Sequence, residues 1–332
     1  MQIDELVEAL NLGRVLEEPK EVKGGLLHKM YYVTTSKGIF AVKVLNNEIM
    51  KRPGALDNTI NAEKIAMISG SMIPAVASCE IQGKQIHKIG GQYYMIFPWV
   101  EGKSVFPPDI SKKHCEIIGD ILGKMHRLNI TLDEVKAEEE CVPMYEWDKY
   151  LQMAKEQEAQ SGGWLSQYEK AIKDIIAWNR AAYDAQDILI KNVVISHRDL
   201  DPKNVIWDGL NPFVIDWEAA GYVNPYQELL EVINYWADNG KGRLYQEYFD
   251  VIIDAYERHM SIRNVVWEKV FAGSYAGMLG WLAYNVKRAL GMEVSDDEEI
   301  RLGEEQVKGT INALYDYQAK AELLKDWLED VR

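Results

Sequence analysis

Apolar positions change period along the chain. Ile3, Leu6, Val7 and Leu10 recur at helical spacing, and Gly13 follows as a stop, so residues 2–13 predict an amphipathic helix. From residue 15 to 45 the pattern turns to strands. Residues 21–23 lead into Gly24-Gly25, and residues 30–35 and 39–45 read as a hairpin around Ser36-Lys37-Gly38. Residues 58–67 predict one helix, with Ile60, Ile65 and Ala66 on one side. A strand pair over 75–89 and 92–100 turns at Gly90-Gly91 and breaks at Pro98 and Gly102. Beyond Lys103 the period is helical. Residues 111–128 place Ile117, Ile118, Ile121, Leu122 and Met125 at core spacing, with Ser111 as a cap. Further helices are expected over 145–160, 164–190, 227–237 and 243–259. A long apolar helix rich in small residues is expected over 264–290, and an acidic helix or pair of helices over 298–331. The acidic run 133–140 reads as an exposed loop. The chain therefore predicts a small β-rich part with one helix, then a large helical part.

Two short apolar runs, 194–196 and 213–215, interrupt the helical half, and each delivers an aspartate at or just beyond its end. Asp199 lies in HRDLDPKN, Asn204 follows it by five residues, and Asp216 follows Asn204 by twelve. Phosphoryl transfer needs a residue that orients the attacking hydroxyl and oxygen ligands for Mg²⁺ beside the moving phosphate. Asn204 and Asp216 supply hard oxygen ligands of that kind. His197, Arg198, Asp199, Leu200 and Asn204 fit the kinase catalytic-loop pattern H-R-D-L-x-x-x-N at every fixed position. The competing reading is a polar turn between strands, in which Asp and Asn are ordinary turn formers.

Lys43 lies inside the apolar run Phe40, Val42, Val44. A lysine there needs a partner or an outward-facing position. Glu63, on the 58–67 helix, is the expected partner and would hold Lys43 against nucleotide phosphates. Gly24-Gly25 between strands allows backbone amides to approach a phosphate, or forms a plain turn.

The combination of FAVK (40–43), SHRDLDPKN (196–204) and VIDWE (214–218) resembles the aminoglycoside phosphotransferase and choline kinase-like family. The resemblance implies an α+β, protein-kinase-like two-lobe fold. Its nucleotide-binding lobe would span 1–98, its hinge 99–103 and its helical lobe 104–332. It implies Asp199 as catalytic base, Asn204 and Asp216 as Mg²⁺ ligands, and Lys43, fixed by Glu63, on the phosphates of ATP, with GTP an alternative. Gly24 and Gly25 belong to its phosphate loop. Phe97, Trp99 and Val100 at the hinge are candidates for adenine contact, and Lys203 for the γ-phosphate. The form I-D-W-E in place of D-F-G, and the lack of A-P-E after Asp216, point to small-molecule rather than protein kinases. Arg198 departs from the glycine common in the family. The expected activity is O-phosphorylation of a small hydroxylated molecule, either a metabolite or an aminoglycoside-like antibiotic. The alternative is an inactive nucleotide-binding regulator, against which the intact Lys43, Asp199, Asn204 and Asp216 argue. Asp148, Glu218, Glu228, Glu231, Trp281 and Asn285 are candidates for lining the acceptor pocket, although helix carboxylates are usually solvated.

Charge narrows the partners. A net charge of −15 repels nucleic acid and anionic lipid; it would favour a cationic small acceptor, although many cytoplasmic proteins are simply acidic. Cys79, Cys115 and Cys141 are odd in number, lie far apart and form no C-x-x-C, which suits a reducing compartment. The acidic start lacks the basic and apolar regions of a secretion signal, and no run of about 18 apolar residues occurs. A cytoplasmic monomer or homodimer is expected, with no membrane partner.

Overall fold

The structure, a computed structural model, describes residues 2–22, 28–136, 142–157, 163–292 and 296–330. Gly24 and Gly25, Cys141 and residues 137–140 of the acidic run lie outside the described residues.

Helix α1 (Gln2–Ala9) is followed by strands β1 (Lys20–Val22), β2 (Lys29–Thr35) and β3 (Gly38–Val44), then by short α2 (Asn47–Met50) and α3 (Ala55–Ser69). Strands β4 (Ile86–Ile89) and β5 (Gln92–Pro98) complete a five-stranded antiparallel sheet of order β1-β2-β3-β5-β4. Ile3, Leu6, Val7 and Leu10 of the opening segment pack on Val33, Val42, Tyr94 and Ile96 on one face of this sheet. Side chains alternate along a strand, so Lys43, paired with Met30 and Met95, projects from the opposite face.

The chain leaves the sheet at Pro98. The Trp99 N–H donates to the Ile39 carbonyl at 3.2 Å, and Lys103 exchanges backbone hydrogen bonds with Trp207 at 3.2 and 3.0 Å. Gly102 sits between them with φ of 133°, and a Cβ there would collide with the Trp207 carbonyl. Only glycine fits that crossing.

The helical part contains α4 (Lys112–Leu128), α5 (Trp147–Glu156), α6 (Trp164–Leu189), α7 (Pro225–Trp236), α8 (Gln246–Glu257), α9 (Trp267–Gly273), α10 (Ala276–Ala289) and α11 (Asp297–Asp330). Between α6 and α7 run β6 (Val194–Ser196), β7 (Val205–Asp208), β8 (Asn211–Val214) and β9 (Gly221–Val223). β6 pairs with β9 and β7 with β8, both antiparallel. One core joins Leu122, Ile195, Val205, Val214, Leu229, Trp236 and Phe249 beneath these strands. A second, with Trp147, Trp164, Tyr168, Leu279 and Ile311, binds α5, α6, α10 and α11 together. Gly119 and Gly123 let α4 lie against α8: a Cβ on Gly123 would stand 2.9 Å from the Tyr256 carbonyl, and one on Gly119 would collide with that of Ile252. The architecture is the α+β one that the sequence predicts.

Two expectations are corrected. Residues 75–89 form a strand only at Ile86–Ile89. The segment before it is a strap with isolated backbone bonds: Val76 N–H to the Val214 carbonyl of β8 at 2.8 Å and Cys79 N–H to the Ile96 carbonyl of β5 at 2.6 Å. The long helix over 264–290 is broken into α9 and α10. The Ser274 hydroxyl donates back to the Val270 carbonyl at 3.0 Å, a bond that bends helices. Gly273 packs there against Leu189 so closely that a Cβ would collide with it. The acidic C-terminal segment is one helix, α11. Among the described residues no helix is long and apolar enough to cross a membrane.

Candidate active site

The two motif loops meet at one residue. The Ile215 N–H donates to the Asn204 carbonyl at 2.9 Å, and the Ile215 carbonyl lies 3.0 Å from Nε2 of His197. Ile215 thus fastens the loop carrying Asp199 and Asn204 to the turn carrying Asp216. His197 is fully buried beneath the loop, and burial pushes its pKa down. Its neutral ring is suited to fixing backbone rather than to accepting protons.

Asn204 points its amide nitrogen at Asp199, donating to the backbone carbonyl at 2.8 Å and to Oδ2 at 2.9 Å. This leaves the side-chain oxygen of Asn204, Oδ1, free of those bonds. Asp216 takes a left-handed backbone, φ 61°, at the end of β8. Asn204 and Asp216 offer one neutral and one charged oxygen ligand, which suits Mg²⁺. Among the described residues no cluster of three His, Cys, Asp or Glu side chains is disposed to hold a metal.

Lys43 is buried, with 8% of its surface exposed. Its Nζ lies 2.9 Å from Oδ1 of Asp216 and pairs with Oε1 of Glu218. Burial alone would lower the pKa of its ammonium, but Asp216 and Glu218 outweigh burial and raise it. The expected Lys43–Glu63 pair is not formed. Glu63 is itself buried, and its Oε2 accepts the Ser78 N–H at 2.6 Å, tying α3 to the strap. Burial raises the Glu63 pKa, partly offset by Ser78 and the more remote Lys43. The physical reason is that two carboxylates of the Asp216 turn reach Lys43 directly.

Lys203 is largely exposed, and its Nζ stands 3.2 Å from Oδ2 of Asp199. Of the hinge candidates, Phe97 pairs with Ala41 in the sheet. The Trp99 ring meets Tyr32 edge-on at 4.7 Å. Trp99 and Val100 line a cavity of about 490 Å³ with Ala77, Glu101 and Phe213. Among the described residues, no hydrogen bond takes up the Val100 N–H.

Beneath the loop is a buried clasp. Arg198, with φ of 66°, donates its backbone N–H to Oε1 of Glu228 at 2.7 Å. Oε2 of the same carboxylate lies 2.7 Å from Nε2 of His126, whose Nδ1 is 2.9 Å from the Tyr256 hydroxyl. Burial alone would raise the Glu228 pKa, but bonding to His126 and its neighbours lowers it. Glu228 therefore supports the catalytic loop rather than lining an acceptor pocket. The signal was present in the sequence: a glutamate among Leu229, Leu230, Val232 and Ile233 needs a buried partner. Trp236, two turns on, donates Nε1 to the Leu200 carbonyl at 2.8 Å.

Glu231 and Tyr235 occupy the rim of the same helix face. The Tyr235 hydroxyl donates to Oε1 of Glu231 at 3.1 Å. Crowding by neighbouring atoms, and then the charges of Glu228 and Asp199, push the Glu231 carboxyl up to about 7. Its surface is still exposed, so solvent tempers the effect. Of the other residues expected near an acceptor, Asn285 is buried, with its amide bonded to the Trp281 carbonyl, whereas Trp281 is exposed and stacked on Tyr284.

This fold recurs among solved structures. The chain matches spectinomycin phosphotransferase in complex with ADP and spectinomycin, at 13% identity and a TM-score of 0.65, over 94% of this chain and 97% of that one. An amicoumacin kinase in complex with AMP-PNP and Ca²⁺ matches at 11% identity and a TM-score of 0.62, over 93% and 92%. An ethanolamine kinase of Plasmodium vivax matches at 15% identity and a TM-score of 0.54, over 91% and 85%. No curated protein matches by sequence. The fold and the converged loops define a phosphotransferase of protein-kinase-like architecture. The chain belongs to the phosphotransferase enzyme family, whose pattern covers residues 18–261.

Proposed function

We propose that the protein transfers the γ-phosphoryl group of ATP to a hydroxyl of a small, cationic acceptor, with Mg²⁺ required. The observation that carries this reading is the junction at Ile215, which brings Asp199, Asn204 and Asp216 to one place, with Lys43 on Asp216. Asp199 accepts the proton of the acceptor hydroxyl and orients it for in-line attack. Asn204 and Asp216 hold Mg²⁺, which neutralises charge on the phosphates when bound. Lys43 turns its ammonium from Asp216 to those phosphates. The backbone of the 97–100 segment takes the adenine edge, with the lobes divided at the 99–103 hinge. Gly24 and Gly25 enter this reading on sequence alone. The nucleotides bound to the similar spectinomycin and amicoumacin kinases support it. So do the acidic charge of the chain and the placing of Glu231 beside the loop, which favour a cationic acceptor.

The test is a screen of hydroxylated amines, including aminoglycosides, for Mg²⁺-dependent ADP release from ATP by the purified protein. One acceptor class should stimulate release, and Asp199→Ala should abolish the stimulation while leaving the fold intact. Undiminished transfer by Asp199→Ala would remove the aspartate from its role.

A further inference from the structure

Lys43 shares Asp216 with the proposed metal site, so a bound Mg²⁺ competes for that partner. Glu63 is committed to the Ser78 N–H. The remaining carboxylate on Lys43 is Glu218, and His28 lies against it. His28, just before β2, accepts the Asn46 N–H at Nδ1, 2.8 Å away. That bond places the ring hydrogen on Nε2. Nε2 lies 3.3 Å from Oε1 of Glu218, the same oxygen that pairs with Lys43. The His28 side chain is only 8% exposed, and burial, ahead of the opposing charge of Glu218, lowers its pKa and favours the neutral ring.

We infer that His28 and Glu218 are positioning residues for Lys43. His28 fixes the Glu218 carboxylate, and Glu218 keeps the Lys43 ammonium aimed into the site when Asp216 is taken by metal. This rests on the nucleotide reading given above. It assigns to Glu218 the holding role that the sequence pattern gives to Glu63.

Binding of ADP with Mg²⁺, measured by titration calorimetry, tests the inference without turnover. His28→Ala should weaken binding about fivefold, the scale of one lost polar contact. His28→Asn keeps an acceptor for Asn46 but is too short to reach Glu218, so it should behave like His28→Ala. His28→Gln reaches as far as Nε2 and should restore most of the affinity. In a Glu218→Ala background, His28→Ala should cause no further loss. Unfolding midpoints taken on the same samples separate misfolding from mispositioning, and the asparagine and glutamine variants carry the comparison if the alanine variant is unstable. An equal loss in both backgrounds, or full affinity in His28→Ala and His28→Asn, overturns the inference. If the unaltered protein binds neither ADP nor AMP-PNP with Mg²⁺, the nucleotide reading itself fails, and the inference fails with it.

Discussion

Nζ of Lys43 and Oδ1 of Asp216 lie 2.9 Å apart although 173 residues separate them in sequence. The pair joins the sheet to the turn after β8 and places a buried cation on the proposed metal ligand. Removing the cation by Lys43→Met should lower kcat/KM for ATP by about 10²–10³, the usual scale for loss of one preorganised electrostatic group. Steady-state kinetics at varied ATP would check this. A loss confined to the acceptor KM would contradict it.

Asp199→Asn keeps the shape of the side chain and most of its hydrogen bonds but removes the proton acceptor. A fall in kcat of about 10²–10⁴ is expected, with nucleotide affinity little changed. Single-turnover measurements with a transferable acceptor would separate the two effects.

The clasp under the loop should be sensitive to loss of either partner. His126→Ala leaves Glu228 buried without its ring partner, at a loss of about 3–5 kcal/mol in denaturant unfolding. The sign of its pH dependence follows from Glu228. In the native protein its pKa is lowered from 4.5, so its contribution is present above that value and lost as pH falls through the folded pKa. In the variant the unpaired carboxyl should rise instead. The stability gap between the two proteins should therefore be widest at neutral pH and narrow in acid. A gap that does not vary with pH would show that His126 acts by packing alone.

Glu231 should behave in the opposite sense. Its carboxyl is raised from 4.5 to about 7, so the folded protein holds that proton more tightly than the unfolded chain. Ionising it disfavours folding; the penalty is absent below 4.5, grows up to about 7 and is constant above. Thermal midpoints of Glu231→Gln should gain on those of the native protein as pH rises through this window. If the carboxylate also meets a cationic acceptor, the acceptor KM should rise while the ATP KM stays fixed.

Gly119→Ala tests the crossing of α4 and α8. The added methyl meets the Ile252 main chain, which cannot rotate away. A loss of about 1–3 kcal/mol in denaturant unfolding is expected, typical of overpacking. An unchanged midpoint would mean that the helices separate at no cost.

Much of the protein could be read from local pattern. The sheet strands, α3, α4 and the helical second half follow from periods of two and 3.6. The catalytic loop follows from spacings of a few residues, which a short turn converts directly into geometry. The contrast lies in contacts between distant segments. Glu63 and Glu218 are both acidic and both near Lys43 in the fold, and nothing in their spacing ranks them. The strap at 75–79 settles the matter by offering Ser78 to Glu63. The break between α9 and α10 likewise depends on how closely Leu189 approaches Gly273.

The sequence by itself singled out the residues proposed to carry the chemistry: Asp199, Asn204, Asp216 and Lys43. It also determined that a small sheet precedes a helical body, because hydrophobic period and turn chemistry act over a few residues. Only the tertiary structure decided who pairs with whom. A buried charge goes to whichever opposite charge packing brings nearest, and packing is a property of the whole chain. That is why Glu218, His28, Glu228 and His126 acquire their places only when the sheet, the strap and α7 close around the loop.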